Sequence, residues 1–220
     1  MSVTDESVAR ESTTSDSRYW PVPVARGVVA IIVAVTITFS ADHSPLLGYL
    51  AFGLFAVATA VIIGVLGTRR LDKGTERSFF LAQAIISAVA GIASLAASGA
   101  GVAFLLFIVS AFAAITGFLE LYSGLRARRR FAFGKDWLFV GVLTALFAIA
   151  VLLVPGDFAL HFTGPDDVAR ILTASVIVDG IIGAYAALLG VYLVIAGLSL
   201  KWGTGATEPV SETTVTQGGK

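Results

Sequence analysis

The sequence predicts an all-α membrane protein of six transmembrane helices, arranged as three repeated two-helix hairpins. Three observations carry this. Of the 220 residues, 56% are hydrophobic and only 14% are charged, well below the roughly 25% charged residues of an ordinary soluble domain. The hydrophobic residues gather in continuous blocks of about 18–22 residues, the length that crosses a bilayer. Small residues also recur every seventh position in alternate blocks.

The blocks are 22–41, 46–67, 79–97, 102–123, 137–154 and 171–200. A lone span in lipid must satisfy its backbone polar groups internally, and runs that are continuous rather than alternating select helices over a barrel. The links "DHSP" after the first block and "SGAG" after the third are very short, so the helices they join are antiparallel neighbours. Flanking the helical domain, 22–201, are polar segments rich in Ser, Thr and acids, 1–21 and 202–220. They read as disordered cytoplasmic tails, and the first lacks the early apolar run of a signal peptide.

Orientation follows the basic residues. With both tails and the loops 68–78 and 124–136 on one side, that side holds fourteen of the fifteen Lys and Arg, leaving Arg170 on the other. Both termini are therefore expected in the cytoplasm. Trp20, Trp137 and Trp202 fall at the cytoplasmic ends of their helices, where an indole ring favours the interface.

Repetition appears in the small residues. Gly53, Ala60 and Gly67 in the second helix are matched 57 residues later by Ser110, Gly117 and Gly124, and a further 73 residues on by Gly183, Gly190 and Gly197. The odd helices match at 57 too, through "ARGVV" at 25–29 and "AQAII" at 82–86, and more loosely through "VGVLT" at 140–144, which is one position out of register. A small residue every seventh position forms a stripe along which backbones approach, so the stripes are expected to pack helices and to tolerate Ala better than Leu. Contacts within a homo-oligomer are the alternative use.

These features resemble the HdeD family of bacterial membrane proteins. The resemblance covers about 22–201. It rests on the three hairpins, the pair Arg26 and Gly27 early in helix one, glycines near the cytoplasmic ends of the even helices followed by basic loops, and "LLVPG" at 152–156. It implies an association with acid resistance and no known biochemical activity. The second repeat departs by placing Gln83 where the first has Arg26.

Chemistry is sparse. Zero net charge and the lack of aromatic support around the basic loop argue against nucleic acid, and the lack of cysteine removes disulfides and thiolate sites. No phosphate loop, metal-ligand spacing or nucleophile motif is present, so neither enzyme activity nor a cofactor is expected. His43 and His161 read as surface histidines. In "FTGPDDVAR", 162–170, Gly164, Pro165, Asp166 and Asp167 read as a helix cap rather than a cation site. Asp179 lies about 31 Å from Leu200 along a helix, which places it near the outer boundary, where a charge costs little. The cluster Arg126, Arg128, Arg129 and Arg130 faces lipid headgroups, with anionic ones favoured.

Glu120 is the exception. Its counterparts in the other repeats are Ile63 and Leu193, so the hairpin itself needs no carboxylate there. It lies six residues inside Arg126, as Arg26 lies six inside Trp20, about 9 Å along a helix in each case. Two opposite charges at similar depth are natural partners, so an Arg26–Glu120 ion pair is expected. A proton-carrying Glu120 and a partly solvated one are the alternatives. The function expected is that of a non-enzymatic multi-pass membrane protein contributing to acid or envelope stress resistance, with a small channel or transporter as the second reading.

Overall fold

The computed structural model describes residues 19–70, 75–128, 133–164, 167 and 169–203. Most of both tails, Arg129, Arg130, Pro165 and Asp166 lie outside the described residues. Six helices are long and apolar enough to cross a membrane. They are α1 (Pro21–Phe39), α2 (Pro45–Val61), α3 (Thr75–Ala96), α4 (Val102–Ala127), α5 (Phe133–Leu152) and α6 (Ala174–Trp202).

Proline opens α1 and α2 at their first turns, where its missing N–H is no loss. α2 runs on through a π-helical turn, Ile62–Gly67, into a last short piece, Thr68–Arg70. α6 stops at Gly203, whose φ of 68° is the left-handed conformation glycine adopts without a Cβ penalty.

Successive helices touch, and α6 returns to α1, so the six close on themselves; α2, α4 and α6 also touch one another. The most extensive contacts join α4 to α5, α1 to α6 and α2 to α3. These are not the pairs joined by the shortest links. The glycines explain the difference. A Cβ at Gly53 would meet Leu95 and the Gly91 carbonyl on α3, one at Gly117 would meet Ala145 on α5, and one at Gly190 would meet Ile31 and the Gly27 carbonyl on α1. Each stripe thus faces the helix across the basic end rather than its short-loop partner. Gly67 and Gly124 continue the stripes onto Phe80 and Leu138, and Gly183 and Gly197 continue theirs onto Ile37 and onto Val24 and the Trp20 carbonyl. Ala60 is buried, whereas Ser110 is only half-buried and its hydroxyl bonds the Phe107 carbonyl of its own helix.

The main core is built from α1, α2, α4, α5 and α6, with Tyr49, Phe52, Leu105, Val109, Val178 and Leu189 almost wholly enclosed, and α3 packs Ile86 and Ala90 against it. Outward faces carry Ile32, Leu54, Ile85, Phe118, Leu146 and Ile195, each well exposed and apolar, as a lipid-facing surface requires.

Between α5 and α6 the expected helix cap is absent. The segment instead forms an antiparallel hairpin of β1 (Ala159–Thr163) and β2 (Ala169–Thr173), with His161 opposite Ile171. Gly164 and Asp167 belong to its turn, where Asp167 takes a φ of 55°, and α6 begins only at Ala174. The physical reason is visible in the residues: Phe162, Thr163, Ile171 and Thr173 are aromatic or β-branched types that favour strands, and the two segments satisfy their backbones by pairing. The Ala174 N–H donates to the Phe158 carbonyl at 3.0 Å and seats the hairpin on α6.

Candidate functional site

Glu120 sits on α4, two turns from its basic end, and is 6% exposed. A buried carboxylate must recover its lost hydration from donors. Four other helices are involved. Arg26 on α1 donates from Nη2 to Oε1 at 2.9 Å, and Gln83 on α3 donates from Nε2 to the same oxygen at 2.6 Å. Thr144 on α5 places its hydroxyl 3.2 Å from Oε2 and 2.8 Å from the Val140 carbonyl, so one proton serves either acceptor. Tyr185 on α6 completes the chain, its hydroxyl 3.0 Å from that of Thr144. Four of the six spans therefore meet at a single carboxylate, and a fifth joins them through Thr144.

The arrangement is charge-balanced, one guanidinium against one carboxylate, with neutral donors filling the remaining positions. Arg26 is itself buried, and its Nε has no hydrogen-bond partner. A small cavity lies beside it, lined among others by Tyr19, Glu120, Asp136, Trp137 and Val140, with room for about one water molecule.

Toward the basic end an aromatic group covers the site. Tyr19, Phe80 and Trp137 pack edge-to-face and tilted, with ring centroids 4.8–6.0 Å apart. The Trp137 indole N–H donates to the Tyr19 hydroxyl at 3.1 Å. Burial pushes the Tyr19 phenol up from its ordinary value, which keeps it neutral. Trp137 is therefore not an interfacial indole; its ring turns inward because Tyr19 offers its N–H a partner. Trp202 stays exposed, and the Lys201 ammonium lies 4.7 Å over the Trp20 ring. Asp136 beside the cavity accepts from the Tyr192 hydroxyl at 2.8 Å.

Of the other residues singled out in the sequence, Arg126 and Arg128 are exposed at the end of α4. His161 is exposed on β1, and His43 is half-buried in the α1–α2 link. Asp179 departs most from expectation: it is fully buried rather than surface-accessible, because α2 and α4 close over it.

Gln83, Thr144 and Tyr185 carry no motif. Gln83 alone left a trace, since it occupies the position 57 residues after Arg26. Comparison with protein-family models, with curated proteins and with solved structures gives no match.

Proposed function

We propose that the chain is a non-enzymatic multi-pass protein of the bacterial inner membrane, of the HdeD type, with both termini cytoplasmic and a contribution to acid or envelope stress resistance. It is built as three repeated two-helix hairpins, and the Arg26–Glu120 network locks them into one body. What carries this reading is the closed coordination of Glu120: both of its oxygens face donors of the chain itself, and the adjoining cavity has room for only about one water. A coupling site for a transported ion needs vacant coordination and a hydrated approach. Arg26 and Gln83, 57 residues apart, reach the same oxygen, and the small-residue stripes of α2, α4 and α6 each pack on an odd helix, as an internal repeat would produce.

In its membrane role the protein presents Arg126 and Arg128 to anionic headgroups, each such contact contributing about 1 kcal/mol. The test pairs a cell assay with a flux assay. Cells lacking the protein should lose survival after acid challenge, and the wild-type chain should restore it. Proteoliposomes of the purified chain should hold a pH gradient as long as empty vesicles do. Gradient collapse that is abolished by Glu120→Gln would replace this reading with a proton channel.

A further inference from the structure

We infer that Asp179 is a proton-binding site, a carboxyl that holds a proton in the folded protein and exchanges it at the end of the molecule opposite the Arg26–Glu120 pair. Asp179 is 0% exposed, and neither of its carboxyl oxygens has a hydrogen-bond partner. A Cβ on Gly48 would lie 2.5 Å from Asp179 Oδ1 and 2.6 Å from the Leu105 side chain, so the carboxyl occupies space that only glycine leaves open at the start of α2. No N–H of that first turn bonds the carboxyl: Pro45 has none to give, and the Leu47 N–H is bonded to the Ser44 carbonyl at 3.0 Å.

An ionised carboxylate without donors is far costlier in such surroundings than a neutral acid. Glu120, equally buried, shows what this fold provides when a carboxylate is to stay charged: a guanidinium, an amide and a hydroxyl. Asp179 has none of these. Packing does not require an acid there either. At the 73- and 57-residue offsets its counterparts are Leu106 and Tyr49, both buried and neither a carboxylic acid.

The charged groups at this end lie outside the buried pocket. Asp42, in the α1–α2 link, is exposed and carries a like charge; Tyr49 on α2 donates its hydroxyl to the Gly101 carbonyl at 2.8 Å. His43 is in the same link as Asp42, and Arg170 on β2 is exposed. Arg26 of α1, Glu120 of α4, and Lys135 and Asp136 of α5 all sit in the turns nearest the opposite end. The exchange path is short, since Asp179 lies five residues into α6, about 7.5 Å along the helix, and the adjacent Gly180 is exposed. The step is simple dissociation: the carboxyl O–H bond breaks, its electron pair stays on Asp179 and the proton passes to water.

The full chain in lipid nanodiscs tests this by infrared difference spectroscopy between wild type and Asp179→Asn at neutral pH. The expected result is loss of a protonated-carboxyl C=O stretch, one that shifts in D2O; loss of a carboxylate stretch instead would overturn the inference. Thermal unfolding provides a second reading. At acid pH Asp179→Asn should melt within about 2 °C of wild type. As pH rises, the wild-type midpoint should fall when the proton leaves an unpartnered charge behind, and the variant should lack that fall. A variant several degrees less stable at every pH would show an ionised, partnered Asp179. If Asp179→Asn does not fold, Asp179→Leu, which copies the Leu106 position, should; failure of both would mean that the carboxylate makes indispensable contacts and would overturn the site.

Discussion

Arg26 on α1 and Glu120 on α4 meet at 2.9 Å across 94 residues of chain, both more than nine-tenths buried. The pair joins two helices whose mutual contact is otherwise slight. Removing one partner leaves the other charge enclosed and unpaired, which typically costs about 3–5 kcal/mol. Arg26→Leu and Glu120→Leu should each destabilise by that order in detergent unfolding. The double variant should lose clearly less than the sum, by about 1–3 kcal/mol of coupling. Simple additivity would show that the two charges do not depend on each other.

The neutral donors should rank below the guanidinium. Gln83→Leu removes a 2.6 Å bond to the carboxylate, worth about 1.5–3 kcal/mol for a charged acceptor. Thr144→Val should cost less, because the Thr144 hydroxyl shares its proton between Glu120 and the Val140 carbonyl. Denaturation midpoints of the single variants give the order directly. A Thr144→Val as damaging as Arg26→Leu would mean that the hydroxyl, and not the guanidinium, anchors the site.

How much of this was legible in the sequence depends on what kind of signal each part leaves. Six spans were readable because bilayer thickness imposes a length and a composition. The depth of Arg26 and Glu120 was readable because helical rise converts residue counts into ångströms. Gln83, Thr144 and Tyr185 were not, since a single polar residue in an apolar helix gives no clue to its azimuth or to which helix it meets. Contact preference was also hidden: a short link shows that two helices adjoin, but whether Gly190 turns toward Gly27 depends on how the whole set of helices closes. The hairpin at Ala159–Thr173 was obscured because Gly, Pro and Asp are residue types that suit a turn and a helix start alike.

The glycine contacts change one expectation about tolerance. A Cβ on Gly190 would lie 2.9 Å from the Gly27 carbonyl oxygen, and a Cβ on Gly27 would lie 2.8 Å from the Gly190 carbonyl oxygen. Even a methyl therefore forces α1 and α6 apart, so Gly190→Ala should already destabilise by about 1–3 kcal/mol, with Leu worse. Gly180→Ala is the control on the same helix, because nothing lies within 4 Å of its added Cβ. Thermal midpoints in one detergent compare the two. Equal midpoints for Gly180→Ala and Gly190→Ala would show that the close approach of α1 and α6 contributes nothing.

Membrane orientation rests on the charge asymmetry and can be tested at positions whose exposure the structure gives. The chain has no native cysteine, so single cysteines report without background. Asp157 and His161 are exposed in and near the β-hairpin, while Arg126 and Lys135 are exposed at the opposite end of the helices. Each substitution alters an exposed surface position, where effects usually stay within about 0.5 kcal/mol. With both termini cytoplasmic, a membrane-impermeant maleimide added to intact cells should label the cysteines at 157 and 161 and spare those at 126 and 135. Permeabilised cells should label all four. Labelling of 126 and 135 in intact cells, with 157 and 161 protected, would invert the topology. It would also place the Asp179 end in the cytoplasm and the arginine cluster outside, against the bias that basic residues impose during insertion.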